Sequence, residues 1–535
     1  MRLGLLMVPC FAMACSSAPS DPNEKLLSDL ASKEDKVRVD AAEGLRSISL
    51  QLPKIEGAKE KMLAAFAADG SHRGTLAMVM AKAWGEAIIP ELIKGLRKEG
   101  LVPVTSGEKQ ANAANRSIGT ALKELARDQG VKLGDSVSEA VAPYANSGDI
   151  QTALAFIELL GVTGSKKGTQ DLLDMVADSD NNFIVKNCII ALGNIRDPKA
   201  IDVLIEHMFR ERMGVSFYAE SSFALFQHGG VEGLMGKLND AFDGKNTKVN
   251  DMMKGSKACQ DAKGTCYVIQ AKVAEVMSDV GLTDEQITKL NKVALGKGVN
   301  QQLVTKIIEA LGRTGSPKAV AQIMKHKNNL TVREFVGRAI ARIGDRKAAL
   351  TLAKQGSNKQ FLSDAKKMGY GADAAAKSAP EIRRFTLENA SRAGDDKVTA
   401  ELEKQAKSEK DPKIKAMIEQ QVKRSKVFDK CKADLACYRG LLSSDEPLVR
   451  EKAAYELAFA KDVQSVDELV KTIDSKVDDT NESRFAKFWA LWQIGPAQSK
   501  KYLKRLDKMA RADKKNQDYV RIAAELERLV DRMRR

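Results

Sequence analysis

The chain has 535 residues, 43 % of them hydrophobic but only 5 % aromatic, a length beyond what one core sustains and a balance too poor in rings for a large sandwich core. Its 86 basic and 71 acidic residues leave a net charge of +15, spread along the chain and not blocked, which favours lysines solvating outer helices over a dedicated polyanion-binding tract. Four histidines leave little material for imidazole-based catalysis or metal binding.

At the N-terminus, Arg2 precedes an apolar stretch, Leu3 to Met13, followed by Ala14-Cys15-Ser16-Ser17. A basic start, a short apolar segment and small residues before a cysteine resemble a bacterial lipoprotein signal. The resemblance implies that residues 1–14 are a signal peptide, that Cys15 carries the lipid and that 15–26 form a tether. Ser16 after that cysteine implies outer-membrane anchoring facing the periplasm. No later segment reaches the roughly 18 apolar residues that a membrane-spanning helix needs.

A helical signature begins with Asp35, Val37, Arg38, Ala41, Ala42 and Leu45, closed by Ile48. Counted from Val37, these apolar positions lie within an arc of roughly 140° on one helix face. The same slots are filled by Ile184, Cys188, Ile189, Leu192 and Ile195, by Leu303, Ile307, Ile308 and Leu311, and by Val332, Val336, Gly337 and Ile340. They return at Val449, Ala453, Ala454 and Leu457, and at Ala390, Val422 and Leu491. Behind the signature runs Leu160-Gly161, Leu192-Gly193 and Leu311-Gly312, with Pro198 and Pro317 a few residues on. Such glycines and prolines read as helix stops. Longer steps mark two insertions, near 238–264 and 353–380. A helix with one apolar stripe cannot bury it alone and must stack on a neighbour.

Four cysteines form two close pairs, Cys259 with Cys266 and Cys431 with Cys437, while Cys188 occupies a core slot. In an oxidising compartment the pairs become local disulfides; reduced thiols and a four-cysteine zinc site are the alternatives. Within one continuous helix such cysteines would stand roughly 9–10 Å apart along the axis, beyond bridging reach. The expectation is therefore Cys431 in a linker and Cys437 in the first turn of a helix starting near Asp434. Trp489 and Trp492, three apart, read as core packing near the C-terminal end, and Tyr519 to Arg535 as a terminal capping helix.

The Val-Arg steps (Val37-Arg38, Val332-Arg333, Val449-Arg450) and the paired alanines make the pattern similar to HEAT repeats of the short bacterial, phycobilisome-lyase-like form. The resemblance implies an all-α fold, an α-solenoid of stacked antiparallel helix pairs in a HEAT/armadillo-like superhelix. The expected organisation is a solenoid over 27–237, an insertion over 238–264 and a second solenoid piece over 265–535 with its cap.

Chemistry is sparse. None of His72, His207, His228 or His326 sits in a metal-ligand pattern, and Ser106-Gly107-Glu108-Lys109 and Ser179-Asp180-Asn181 lack the third motif of the penicillin-binding enzymes. The expectation is a non-enzymatic scaffold that binds a protein, without metal or cofactor, tethered to the membrane through a lipid. Two alternatives are a cytosolic basic solenoid holding nucleic acid and a lyase-like enzyme, the latter opposed by the scarcity of histidines.

Overall fold

A computed structural model describes residues 21–98, 106–260, 262, 264–356, 372–474, 479–513, 515–517 and 519–534. The chain divides into two compact units, one holding residues up to Val203 together with Arg212–Val215, the other holding Leu204–Glu211 and Ser216 onward. Residues 238–264, expected above as an insertion, follow this division in sequence. Within that segment a helix runs Thr247–Lys254, capped by Asn246 through Val249 N–H and seated by the apolar Val249 and Met253.

The first unit runs α1 (Pro22–Asp29), α2 (Asp35–Ser47), α3 (Ala58–Ala67), α4 (Arg73–Trp84), α5 (Ile89–Lys94), α6 (Ser106–Asp128), α7 (Asp135–Ala145), α8 (Ile150–Thr163), α9 (Thr169–Asp178) and α10 (Asn182–Ile195). Here α2, α4, α6, α8 and α10 pack each on the next as one layer. Near the division, α11 (Ile201–His207) is followed by a short hairpin, β1 (Glu211–Arg212) and β2 (Val215–Ser216).

The second unit continues with α12 (Tyr218–Gln227), α13 (Leu234–Phe242), α14 (Thr247–Lys254), α15 (Tyr267–Val280), α16 (Asp284–Ala294), α17 (Gln301–Arg313), α18 (Val320–Ile323), α19 (Arg333–Ile343) and α20 (Arg346–Gln355). After residues 357–371, which lie outside the described set, come α21 (Ala372–Ala393), α22 (Asp396–Ser408), α23 (Pro412–Cys431), α24 (Leu435–Leu441) and α25 (Pro447–Phe459). The last helices are α26 (Val466–Asp474), α27 (Asn481–Ile494), α28 (Pro496–Ser499), α29 (Leu503–Asp513) and α30 (Val520–Arg534). The signature helices α15, α17, α19, α21, α23, α25, α27 and α30 again form a continuous layer, and the intervening helices back it.

The signature explains this layering. Leu160, Leu192, Leu311, Ile340, Leu457 and Leu491 are fully buried, as an apolar stripe facing a neighbouring helix requires. The glycines that follow Leu160, Leu192 and Leu311 are not stops. Gly161 lies inside α8 and Gly312 inside α17, and a Cβ on Gly312 would stand 2.7 Å from the Ala339 Cα of α19. These glycines let consecutive signature helices touch backbone to backbone. The turn beyond is fixed instead by Ser165, Asp197 and Ser316, each accepting from the N–H of Lys167, Lys199 and Lys318; this is one cap repeated three times.

The signature arginine is structural in the same sense. Arg38, Arg333 and Arg450 each donate to the carbonyl six residues back, Ser32 at 2.9 Å, Lys327 at 2.7 Å and Ser444 at 2.6 Å. Each guanidinium ties down the turn that leads into its helix. Buried carbonyls outside a ladder need such donors.

Candidate functional site

In the second unit the signature layer curls until distant members meet. Arg342 on α19 pairs with Glu525 on α30 at 2.6 Å, across 183 residues. The Arg342 guanidinium also lies over the rings of Phe485 and Trp489 on α27, at 5.2 and 5.6 Å. The curl leaves a cleft of about 310 Å³ lined by α19, α21, α25, α27 and α30. Arg338 and Arg342 stand on one wall, Glu482 and Glu525 on the opposite one, and Glu388, Arg392 and Glu451 form the floor.

The floor is a buried charge network. Glu451 accepts from Arg392 Nε at 2.6 Å and faces Arg424 Nη2 at 2.9 Å, while Arg392 reaches Glu388 at 2.8 Å and Asn389 Oδ1 at 2.8 Å. Burial alone would raise the Glu451 carboxyl, but Arg392 and Arg424 outweigh it and hold it below the usual carboxylate range. Burial opposes the Arg392 charge in the same way, and Glu451 and Glu388 push it up nonetheless.

Beside this network Lys452 gives its ammonium to Glu456 at 2.6 Å and to the carbonyls of Arg392 and Gly394 at 2.8 and 2.7 Å. Glu456 also takes both arms of Arg346. Further along the layer, Arg450 and Lys487 share Asp479 at 3.0 and 2.8 Å, and Arg484 grips Asp513 with both arms. Every charge named here has an opposite within reach, as burial demands. The floor is thus a rigid base, and the charges nearest a partner are those of the rim: Glu482, and Arg338, which also pairs with Glu334 on its own helix.

A second cavity, of about 970 Å³, opens between Arg346, Phe428, Asp429, Tyr438 and Phe459. The Arg346 guanidinium stacks on Phe428 at 4.8 Å and on Phe459 at 5.6 Å. Its rim includes Lys432, Ala433 and Leu435, which belong to the loop closed by Cys431 and Cys437.

Both cysteine pairs are bridged, Cys259–Cys266 with Cα atoms 5.2 Å apart and Cys431–Cys437 with 5.5 Å. Cys437 stands in the first turn of α24, whose cap Asp434 accepts from Ala436 and Cys437 N–H. Cys431 is the final residue of α23 and not part of a linker; the break comes at Lys432, whose φ of +48° turns the chain. Cys188 is a buried thiol, and burial pushes its pKa up to about 12. Cys15 lies outside the described residues.

The four histidines are buried. His72 meets Ala65 O at 2.9 Å, His228 meets Ala224 O at 2.8 Å and His326 meets Asn291 Oδ1 at 3.0 Å. These are contacts within the packed layers. Trp489 is buried edge-on to Trp492 at 4.9 Å. Among the described residues no group of three or more His, Cys, Asp or Glu side chains gathers as metal ligands, and no helix is long and apolar enough to cross a membrane.

Residues 138–212 match the family model of HEAT repeats. That stretch spans α7 to β1 and includes two of the three repeated caps, at Ser165 and Asp197. No curated protein sequence matches the chain. Solved structures similar to it include importin-β, at 10 % identity over 95 % of this chain and 77 % of that one, with a TM-score of 0.40. Yeast importin-β (Kap95p) is similar at 11 % identity over 96 % and 76 %, with a TM-score of 0.37. Kap121p bound to Ste12p is similar at 12 % identity over 96 % and 66 %, with a TM-score of 0.40.

Proposed function

We propose that the chain is a non-enzymatic, protein-binding scaffold, tethered by a lipid on Cys15 at the periplasmic side of the cell envelope. The observation that carries the binding reading is the cleft of the second unit. Its floor is a closed network of ion pairs, and its walls set Arg338 and Arg342 against Glu482 and Glu525. A rigid base with charged rims suits recognition of a folded or extended protein surface, where charge arrangement sets register and selectivity. The N-terminal sequence supports the tether, and two bridged cysteine pairs suit an oxidising compartment.

Two measurements test this reading. The intact mass of the protein from fractionated cells should show a chain beginning at an acylated Cys15, with four cysteines oxidised. An unprocessed Met1 chain with free thiols in the cytosolic fraction would overturn the envelope reading. For the cleft, proteins captured by the wild type should be lost on the double charge reversal Arg338→Glu/Glu482→Arg; unchanged capture would place binding elsewhere.

A second reading, nucleic-acid binding, is favoured by the exposed stripe of Lys504, Lys508 and Arg511 along α29, although Asp507 pairs with Arg511. It requires duplex DNA binding whose affinity falls steeply with salt.

A further inference from the structure

The outer edge of the first unit carries a groove unrelated to the cleft. It has a volume of about 660 Å³ and lies between the last turn of α7, one side of α9 and the starts of α8 and α10. Its apolar lining comes from Pro143, Ile150, Met175 and Ile184, and Ile150 is left 50 % exposed. Beside it Phe183, in the first turn of α10, is 71 % exposed, and Met213 at the hairpin tip is 92 % exposed. The hairpin is fastened there: Arg212 donates to Asn182 Oδ1 and to Ser179 O, both at 2.8 Å. Met213 holds a φ of +51°, a conformation that branchless glycine adopts freely and methionine does not. Large apolar side chains held outward around a groove mark a docking surface.

The charge around the groove states what docks. Asp171, Asp174 and Asp178 lie within an arc of roughly 60° on α9, and all three line the groove. Asp174 takes one hydrogen bond, from Gln170; Asp171 and Asp178 have no partner among the described residues. Asp171 stands in the first turn of α9 and Asp178 in its last, where Arg212 donates to the Ser179 carbonyl that caps the helix. The last turn of α7 carries no basic residue, so the negative end of its dipole adds to the carboxylates. An apolar floor under three carboxylates, with the single guanidinium of Arg212 at its edge, fits a segment bearing both large apolar and cationic side chains, and repels acidic ones.

We propose that this groove docks a segment of a partner protein in which lysine or arginine stands within a helical turn of leucine, isoleucine or phenylalanine. The surface is separate from the charged cleft, so either can fail without the other. The test is selection of a random displayed peptide library on the immobilised full chain, run in parallel on the Asp171→Asn/Asp174→Asn/Asp178→Asn variant. These side chains are exposed, and matching circular dichroism and melting curves will show that the variant folds. Peptides enriched on the wild type should pair a cation with a large apolar residue. Their affinity should fall roughly tenfold in the triple variant and again in Phe183→Ser. Enrichment of sequences without a cation, affinity unchanged by the substitutions, or no enrichment over the variant would each overturn the proposal. So would a wild-type dimer in sedimentation that Phe183→Ser abolishes, since a second copy of the chain would then be the occupant.

Discussion

Glu451 is the residue on which the second unit's interior turns. It is 1 % exposed and stands between two guanidiniums, so removing its charge leaves Arg392 and Arg424 with Glu388 alone. Glu451→Gln should lower the free energy of unfolding by about 3 kcal/mol, read from urea titrations followed by tryptophan fluorescence. The pH dependence has a defined sign. Glu451 and Glu456 both titrate below their ordinary value of 4.5 in the folded chain. Their stabilisation is therefore fully present above that value and is lost as pH falls through the folded pKa. Melts taken from about pH 7 down to about pH 3 should show a steep loss of stability, and a shallower one in Glu451→Gln. This network was the least legible part of the sequence. Apolar periodicity placed Val422 in the core slot of α23, yet the side chains buried there are Ile418, Gln421, Arg424 and Ser425. A polar side chain in a core slot looks like a solvent-facing one until its partner, 27 to 59 residues away in the case of Glu451, is brought against it.

Helix to helix, the same glycine serves different ends depending on what lies opposite. Gly312→Ala would press a Cβ to within 2.6 Å of the Ala339 Cβ, and because the Ala339 Cα is as close, the clash cannot be relieved by a side-chain rotation. A destabilisation of about 2 kcal/mol is expected. Gly236, inside α13, meets nothing within 4 Å, so Gly236→Ala should instead add up to about 1 kcal/mol by lowering the entropy of the unfolded chain. Paired thermal melts of the two variants check both signs. Helix positions and stripes were readable beforehand because they follow from local spacing. The role of the Leu-Gly step was not, since a close approach between α17 and α19 is a property of two helices and leaves no mark in either alone. The signature arginines fall between these cases: their spacing was visible, but the carbonyl each one holds was not.

For the whole molecule, the two disulfides act as short staples at junctions between helices. Closing loops of this length is worth about 2.5 kcal/mol each in the chain-entropy account. Reduction should lower the melting temperature, and Cys431→Ser/Cys437→Ser should reproduce the part due to that pair. Because the Cys431–Cys437 loop forms one rim of the cavity around Arg346, its loss should also raise amide exchange in residues 432–436, while α8 and α10 in the first unit stay protected. Uniform exchange across both units would show that the two do not unfold separately.

By itself the sequence determined an all-α chain of repeated amphipathic helices, the slots that are buried, the two cysteine pairs and the absence of familiar catalytic patterns. These are local properties, fixed by a helical period of 3.6 residues and by short spacings along the chain. Only the tertiary structure decided how tightly the second unit's layer curls, which charges that curl buries together, and which apolar side chains around α10 are left uncovered. Those outcomes depend on small rotations accumulated from one helix to the next, and on pairs such as Arg342 and Glu525 that no local pattern connects.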